Sequence, residues 1–371
     1  MTVVIEMPSV YGRKELRAPF PFFGGKSRAA PLIWSRFGDA ANYVEPFAGS
    51  LAVLLARPTA PRIETVNDKD AHIANFWRAT ANDPEAVARY ADWPVNEVDL
   101  TARHVWLRAQ DEFRRRMFAD PDYFDVKVAG WWVWGISQWI GGGWCVPEDT
   151  RRTRARHARK RPQAAGMHAG KGVHCAGNLP GSWRPHVTGD SAGGGVRGLL
   201  ASSGKRSTAR RPDVCGEQGG RGTHSRRKES IYDRLALLSE RLRNVRVLCG
   251  DFRRVLTPVV VRSTSVTAVL LDPPYDHDMR DTGLYNEDDR TLSGAAREWA
   301  IEHGDDPGLR IALCGLQGEH EMPSGWRKDA WLGHGGMSRG RSKASNRTEE
   351  RIWFSPHCLD GNGPLFAEPA R

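Results

Sequence analysis

Short apolar runs alternate with amphipathic helical patterns along most of this chain. Predicted strands lie at residues 41–45, 63–66, 245–249, 266–271, 309–314 and 349–355, and those at 245–249, 266–271 and 309–314 are the richest in branched aliphatic side chains. Such runs are typical of strands that are buried on both faces of a sheet. Helical periodicity lies between them, at 29–37, 51–56, 293–302 and around 231–242. Strands that alternate with helices predict an α/β protein with a mostly parallel sheet.

A second region, residues 70–140, has helical periodicity without strands. It predicts helices at 71–81, 84–90, 102–118 and 126–140. The last of these helices carries Trp131, Trp132, Trp134 and Trp139. The sequence therefore predicts a helical subdomain inserted between two groups of strands.

Periodicity stops between residues 141 and 228, where Gly, Ser, Arg and His dominate. Such a stretch buries too little apolar surface to offset its chain entropy, so we expect it to be disordered on its own. Residues 150–228 hold 18 Lys and Arg against 3 acids, in a chain whose net charge is +10. A segment of this charge suits a polyanionic partner.

Several protein classes are disfavoured. No apolar run reaches the length of a membrane span, and the first residues lack the apolar core of a signal peptide. The six cysteines form no CxxC pair, and we expect Cys249 and Cys314 to be reduced and buried. His157, His168, His174 and Cys175 match no zinc spacing, so we expect no metal. The sequence predicts a cytoplasmic protein.

The candidate functional residues directly follow predicted strands. Asp272-Pro273-Pro274-Tyr275 ends the apolar run 266–271, and two prolines cannot continue a strand ladder. Glu45-Pro46-Phe47-Ala48-Gly49-Ser50 joins the first strand to a helix, and Asn67-Asp68 ends the second strand. In open α/β sheets, ligands bind outside the carboxyl ends of the strands.

Gly24-Gly25-Lys26-Ser27 is not a phosphate-binding P-loop. That motif requires a glycine five residues before the Gly-Lys pair, and Phe20 stands there. What remains is an aromatic pair, Phe22 and Phe23, a glycine turn and a lysine before a helix.

Taken in order, these motifs resemble the Dam-like (D12 class) DNA adenine N6-methyltransferases of phages and bacteria. Phe22-Phe23-Gly24-Gly25-Lys26 resembles the family's N-terminal motif, and Glu45 to Ser50 resembles its S-adenosylmethionine loop. Asn67-Asp68, Gly250-Asp251-Phe252 and Asp272 to Tyr275 resemble its ribose, adenine and catalytic motifs. Residues 313–326 and 345–355 resemble later, weaker motifs. One departure is Leu51, which replaces a family glycine and predicts crowding where the backbone approaches the cofactor.

The resemblance implies a Rossmann-like sheet of seven strands, mostly parallel, with a helical and irregular DNA-recognition insertion. It implies a catalytic domain made of 18–82 and 229–358, a target-recognition subdomain at 83–149, and the basic insertion at 150–228. The tryptophans of 126–140 are then either the core of the helical subdomain or, for some of them, the lining of a DNA-facing cleft.

The resemblance also implies the site. The implied catalytic residues are Asp272, Pro273, Pro274 and Tyr275. The implied S-adenosylmethionine-binding residues are Phe22, Gly24, Gly25, Lys26, Glu45, Pro46, Phe47, Gly49, Ser50, Asp68, Asp251, Phe252 and Asp272. Lys26 would meet the carboxylate of the cofactor. Asp272 and the Pro273 carbonyl would accept the two hydrogens of the adenine amine, and Tyr275 would stack on the flipped base.

The implied substrate is double-stranded DNA, and a cognate restriction endonuclease is a candidate partner. Two alternatives stay open. One is an amino-methyltransferase that acts on cytosine N4 or on RNA, which Asp272 disfavours because family members of that kind usually carry Ser. The other is a DNA-binding protein that kept the fold without the activity. The sequence does not predict the target site or the oligomeric state.

Overall fold

A computed structural model describes residues 16–22, 24–139, 144–145, 230–274, 292–331 and 350–360. The basic segment 150–228 and Tyr275 lie outside the described residues. Within those ranges no helix has the length and apolarity needed to cross a membrane.

The described strands, in chain order, are β1 Asn42–Glu45, β2 Ile63–Asp68, β3 Val245–Cys249, β4 Thr267–Leu271, β5 Leu309–Leu316, β6 Arg327–Ala330 and β7 Glu350–Phe354. The described α-helices are α1 Ala30–Phe37, α2 Ala52–Leu55, α3 Ala71–Asn82, α4 Pro84–Ala91, α5 Glu97–Arg108, α6 Asp111–Ala119, α7 Val126–Ile136, α8 Ile231–Leu242, α9 Pro258–Val261 and α10 Leu292–His303. A 3₁₀ turn, Phe252–Val255, follows β3.

The seven described strands form one sheet in the order β3-β2-β1-β4-β5-β7-β6. Neighbours from β3 to β5 are parallel, whereas β7 is antiparallel to β5 and β6 is antiparallel to β7. The predicted mostly parallel, seven-stranded Rossmann-like sheet is therefore confirmed. The strand order reverses between β1 and β4, and at this switch point the carboxyl ends of both strands open a crevice.

The sheet separates two apolar cores, because successive residues of a strand point to opposite faces. Ala268 and Leu270 of β4 belong to the larger core, together with α1, α3, α4, α7 and α8. Val269 and Leu271 belong to the smaller core, which α10 and the 3₁₀ turn cover. Every residue of β4 is buried. Burial on both faces explains why the sequence of this strand is almost continuously apolar.

The helices α3 to α7 share the larger core with the sheet helices. Trp132 and Trp134 are buried in this core, which supports the interpretation of these tryptophans as core residues. Trp131 and Trp139 are half-buried and pack against it. Arg78 of α3 joins the two regions, since its guanidinium donates to the carbonyls of Val247 in β3 and Asp120 after α6. The predicted domain boundaries stay a prediction.

The single helix predicted at 102–118 is wrong. The structure has two helices there, because Ala109 and Gln110 leave the helical path, Gln110 with φ −88° and ψ 67°. The first helix also begins earlier than predicted, at Glu97, because the Asn96 side chain accepts a hydrogen bond from the Asp99 backbone N–H at 2.7 Å. Asparagine is among the best residues for capping a helix N-terminus.

Strand β6 was missed by the sequence prediction. Its residues, Arg327 to Ala330, are polar and alternate between half-buried and exposed. They lack the β-branched and aromatic side chains that identify strands in a sequence. A polar edge strand of this kind protects the open edge of a sheet from pairing with other chains.

Candidate active site

Asp272 is the first residue after β4 and lies beside the switch point. Its carboxylate forms an ion pair with Lys26, with the Lys26 Nζ 2.7 Å from Asp272 Oδ1. The Lys26 ammonium also donates to the Gly24 carbonyl at 2.9 Å and lies 5.5 Å from the centroid of the Trp331 ring. The exposed fraction is 4% for the Lys26 side chain and 20% for that of Asp272. The glycine turn before α1 therefore places the buried Lys26 ammonium beside the Asp272 carboxylate at the end of β4.

Burial raises the pKa of Asp272, since a charged carboxylate is costly in a poorly solvated site. The Lys26 ammonium opposes this increase through its charge and its hydrogen bond, and a hydrogen bond from the Cys314 thiol acts in the same direction. The nearby charge of Glu319 raises the pKa of Asp272. Lys26 is thus the main group that favours the ionised form of Asp272.

Glu45, the last residue of β1, is a second buried carboxyl group at the switch point. Its exposed fraction is 4%, and the Tyr43 hydroxyl donates to its Oε2 at 3.0 Å. Burial raises the pKa of Glu45 well above its ordinary value, and the charge of Asp272 raises it further. We therefore expect Glu45 to hold a proton readily when no cation is bound beside it.

The loop Pro46 to Ser50 connects β1 to α2 and is fixed by three contacts at Gly49. The Gly49 N–H donates to Asp68 Oδ2 at 2.9 Å, and its carbonyl accepts from the Trp77 indole N–H at 2.9 Å. The Phe22 ring packs on its α-carbon, so that a Cβ added at Gly49 would lie 2.5 Å from Phe22. Gly49 has φ +46°, and both this angle and the close aromatic contact require glycine.

Leu51 adopts the left-handed backbone conformation, with φ 53° and ψ 28°, at the start of α2. Left-handed backbone is costly for residues other than glycine, so this position carries backbone strain. The Leu51 side chain is fully buried in the larger core. The crowding expected where the backbone approaches the cofactor stays a prediction.

The second and third strands bring two acidic residues to the same edge of the sheet. Asp68 of β2 is half-buried, and its Oδ1 accepts from the Asp70 N–H at 2.8 Å. Asp251, two residues after β3, is exposed and accepts from the Arg253 N–H at 2.9 Å. Phe252 is buried and stacks on Phe47 with a centroid distance of 5.3 Å. These contacts place Phe252 in the smaller core.

The remaining predicted residues are placed as follows. Gly24 is exposed, Gly25, Ser50 and Pro274 are half-buried, and Pro46 and Pro273 are buried. Phe22 is half-buried and packs against the larger core. Tyr275 lies outside the described residues, so its predicted role stays a prediction.

Sequence reasoning missed Glu319 as part of this site. Ser293 of α10 donates to Glu319 Oε1 at 2.5 Å, and the Leu316 N–H donates to Glu319 Oε2 at 2.8 Å. Gly318 in the preceding turn has φ +85°, which lets the chain fold back over β5. The glycine turn directly after a buried strand is the signal that could have identified this residue. Among the described residues, no group of three or more His, Cys, Asp or Glu could hold a metal ion.

The strand order, the antiparallel β7 and the carboxylates at the switch point define a Rossmann-like methyltransferase fold. A model of the family described as D12 class N6 adenine-specific DNA methyltransferase matches residues 22–124. This match confirms the predicted Dam-like resemblance over these residues. The match covers Lys26, the Gly49 loop and Asp68, and it ends before β3 and β4. No curated protein matches the chain significantly.

Proposed function

We propose that this chain transfers a methyl group from S-adenosylmethionine to the N6 amine of adenine in DNA. The observation that carries the proposal is the Lys26–Asp272 ion pair at the switch point of the sheet. It joins a residue of the segment that matches the D12 class to the Asp-Pro-Pro sequence outside that segment. The two halves of the proposed site thus meet in space.

The residues at the crevice suit a cationic ligand such as S-adenosylmethionine. Glu45, Asp68 and Asp272 present carboxyl groups at the ends of adjacent strands, while Lys26 is already paired with Asp272. A ligand with a sulfonium and an ammonium group would lower the cost of ionising Glu45. The backbone of the Gly49 loop would contact the cofactor, and the Asp68 carboxylate would accept a hydrogen bond from a ribose hydroxyl. The contact of Lys26 with the cofactor carboxylate, expected from the sequence, stays a prediction.

The chemistry follows from the acceptors at the end of β4. When bound, S-adenosylmethionine would supply the methyl group of its sulfonium and leave as the neutral thioether, while the adenine amine would lose one proton. The adenine amine is a weak nucleophile because its lone pair is delocalised into the ring. Ionised Asp272 and the Pro273 carbonyl would accept the two N6 hydrogens and direct the lone pair toward the methyl group. Catalysis would rest on alignment and electrostatics, without a covalent intermediate on the protein.

The substrate base must leave the duplex before it can reach Asp272, because the amine is inaccessible inside the base stack. We propose that Tyr275 stacks on the flipped base and that the basic segment 150–228 contacts phosphates. The charge of that segment, 18 basic residues against 3 acids, supports a DNA partner. A cognate restriction endonuclease and a cytoplasmic location remain part of the same proposal.

A non-catalytic DNA-binding role was favoured in the sequence by Leu51 alone. What supports methyl transfer over this alternative is the family match at residues 22–124 together with the Lys26–Asp272 ion pair. The test of the proposed function is transfer of a tritiated methyl group to unmethylated DNA, followed by nucleoside analysis. N6-methyladenine in the product supports the proposal. N4-methylcytosine, methylation of RNA alone, or no transfer by folded protein would contradict it.

A further inference from the structure

Asn67, the penultimate residue of β2, connects the two loops that border the proposed cofactor site. Its side chain is buried, and its Nδ2 donates to the Pro46 carbonyl and to the Gly250 carbonyl, both at 3.0 Å. In the sheet, β2 lies between β1 and β3. Pro46 follows β1 and Gly250 follows β3, so one amide group spans the ends of three adjacent strands.

Main-chain hydrogen bonds reinforce the same connection. The Ala48 N–H donates to the Asn67 carbonyl at 2.8 Å, and the Gly250 N–H donates to the Asp68 carbonyl at 3.1 Å. Any residue at position 67 could provide the backbone acceptor. Only a side chain with two hydrogens on one short, planar nitrogen can serve both loop carbonyls.

We infer that Asn67 is a positioning residue that fixes the separation of the 46–50 loop and the 250–252 loop, so that the cofactor site is formed before the cofactor binds. The inference rests on the proposed function, because S-adenosylmethionine is the ligand that would lie between these loops. Asn67 acts through Gly49, Asp68 and Asp251, and it is not assigned a contact with the reacting atoms. Preorganisation of this kind improves affinity by lowering the ordering cost of binding.

The chain contains a matched control in Asn42, the first residue of β1. Asn42 is equally buried, and its Nδ2 donates to the Val260 carbonyl at 2.8 Å and to Thr267 Oγ1 at 3.1 Å. Within the described part of the chain, the Oδ1 atoms of Asn42 and Asn67 both have no hydrogen-bond partner. Asn42 lies at the amino-terminal edge of the sheet, opposite the crevice. The two residues thus share chemistry and burial but not location.

The experiment compares Asn67→Leu and Asn42→Leu with the wild-type full chain. Urea unfolding measures stability, isothermal titration calorimetry measures S-adenosylmethionine affinity, and amide hydrogen exchange is followed in the ligand-free proteins. We expect both variants to lose stability. Asn67→Leu alone should weaken cofactor binding by about tenfold to a hundredfold, the range that two lost hydrogen bonds allow. Its kcat at saturating cofactor should stay near that of the wild type.

Hydrogen exchange separates this inference from the proposed function. In Asn67→Leu, the amides of Ala48, Gly49 and Gly250 should exchange faster, whereas Asn42→Leu should leave them unchanged. If the wild type binds no S-adenosylmethionine, the proposed function fails, and the exchange rates still decide whether Asn67 fixes the loops.

The inference is overturned if exchange in both loops is unchanged in Asn67→Leu. It is also overturned if the wild type binds the cofactor and Asn67→Leu binds it equally well, or if the two variants weaken it equally. Should Asn67→Leu fail to fold, Asn67→Asp keeps the shape of the side chain but, when ionised, removes both donors. S-adenosylmethionine affinity and amide hydrogen exchange are then measured on that variant.

Discussion

Replacement of Lys26 by methionine tests whether this lysine keeps Asp272 ionised. The substitution retains the apolar stem of the side chain and removes the ammonium that lies 2.7 Å from Asp272 Oδ1. In the variant, burial and the charge of Glu319 still raise the pKa of Asp272. Of the two groups that lower it in the wild type, Lys26 and the Cys314 thiol, only the thiol remains. The charge of Asp272 also raises the pKa of Glu45, so the two carboxyl groups titrate as neighbours.

The size of the effect follows from the lost contact. A hydrogen bond to a charged group contributes about 1.5–3 kcal/mol. Since about 1.4 kcal/mol corresponds to a tenfold change in an equilibrium, we expect the methyl-transfer rate at low pH to fall by about 10- to 150-fold. The pKa of Asp272 rises, so the carboxylate is lost at a higher pH than in the wild type. In a plot of methyl-transfer rate against pH, the fall in rate on the acid side should therefore occur at a higher pH than in the wild type.

Single-turnover methyl transfer, measured over a pH series at saturating cofactor and DNA, is the assay. Lys26→Met should approach the wild-type rate at high pH and fall below it as the pH decreases. Lys26→Arg, which keeps the positive charge, should shift the acid-side fall in rate less. A rate that falls by the same factor at every pH would refute this reasoning. Combined with weaker cofactor binding, that result would favour the contact between Lys26 and the cofactor carboxylate.

Two further predictions concern Glu45 and Leu51. Because burial raises the pKa of Glu45, ionisation destabilises the fold, and wild-type stability should fall as the pH rises through that pKa. Glu45→Gln cannot ionise, so its unfolding free energy in urea should depend less on pH; an unchanged dependence would contradict the assignment. Leu51→Gly should lower stability by roughly 1–3 kcal/mol, since the loss of a buried side chain exceeds the relief of left-handed strain. Its cofactor affinity should match the wild type, and a clear increase would show that Leu51 obstructs the site.

Much of the sheet could be predicted from the sequence because buried parallel strands are continuously apolar. Strand β3 was predicted with its observed bounds, Val245–Cys249, and β4 differs by one residue. Strand β6 was not predicted, since a polar edge strand depends on its pairing with β7 and not on its own composition. The break between α5 and α6 was missed because neither Ala109 nor Gln110 is a helix breaker by residue type.

The sequence predicts the candidate site as a set of motifs but not as a set of contacts. Strand ends and glycine turns identified Asp272, the Gly49 loop and Asp68 in the sequence. The pairing of Lys26 with Asp272 joins residues far apart in the chain, and no local pattern encodes it. The role of Asn67 was likewise hidden, because a polar residue before an acidic one is common at strand ends. Its two hydrogen bonds are visible only once β1 and β3 are placed on either side of β2.

The central claim is most directly tested by nucleoside analysis of unmethylated DNA after incubation with the protein and tritiated S-adenosylmethionine. The account predicts tritium in N6-methyladenine with the wild type, and none with Asp272→Ala that is shown to be folded by circular dichroism. Asp272 lies at the end of β4 with part of its side chain exposed, so its truncation should leave the two cores intact. Methyl transfer by Asp272→Ala at a rate near that of the wild type, or tritium in any base other than adenine, would contradict the account.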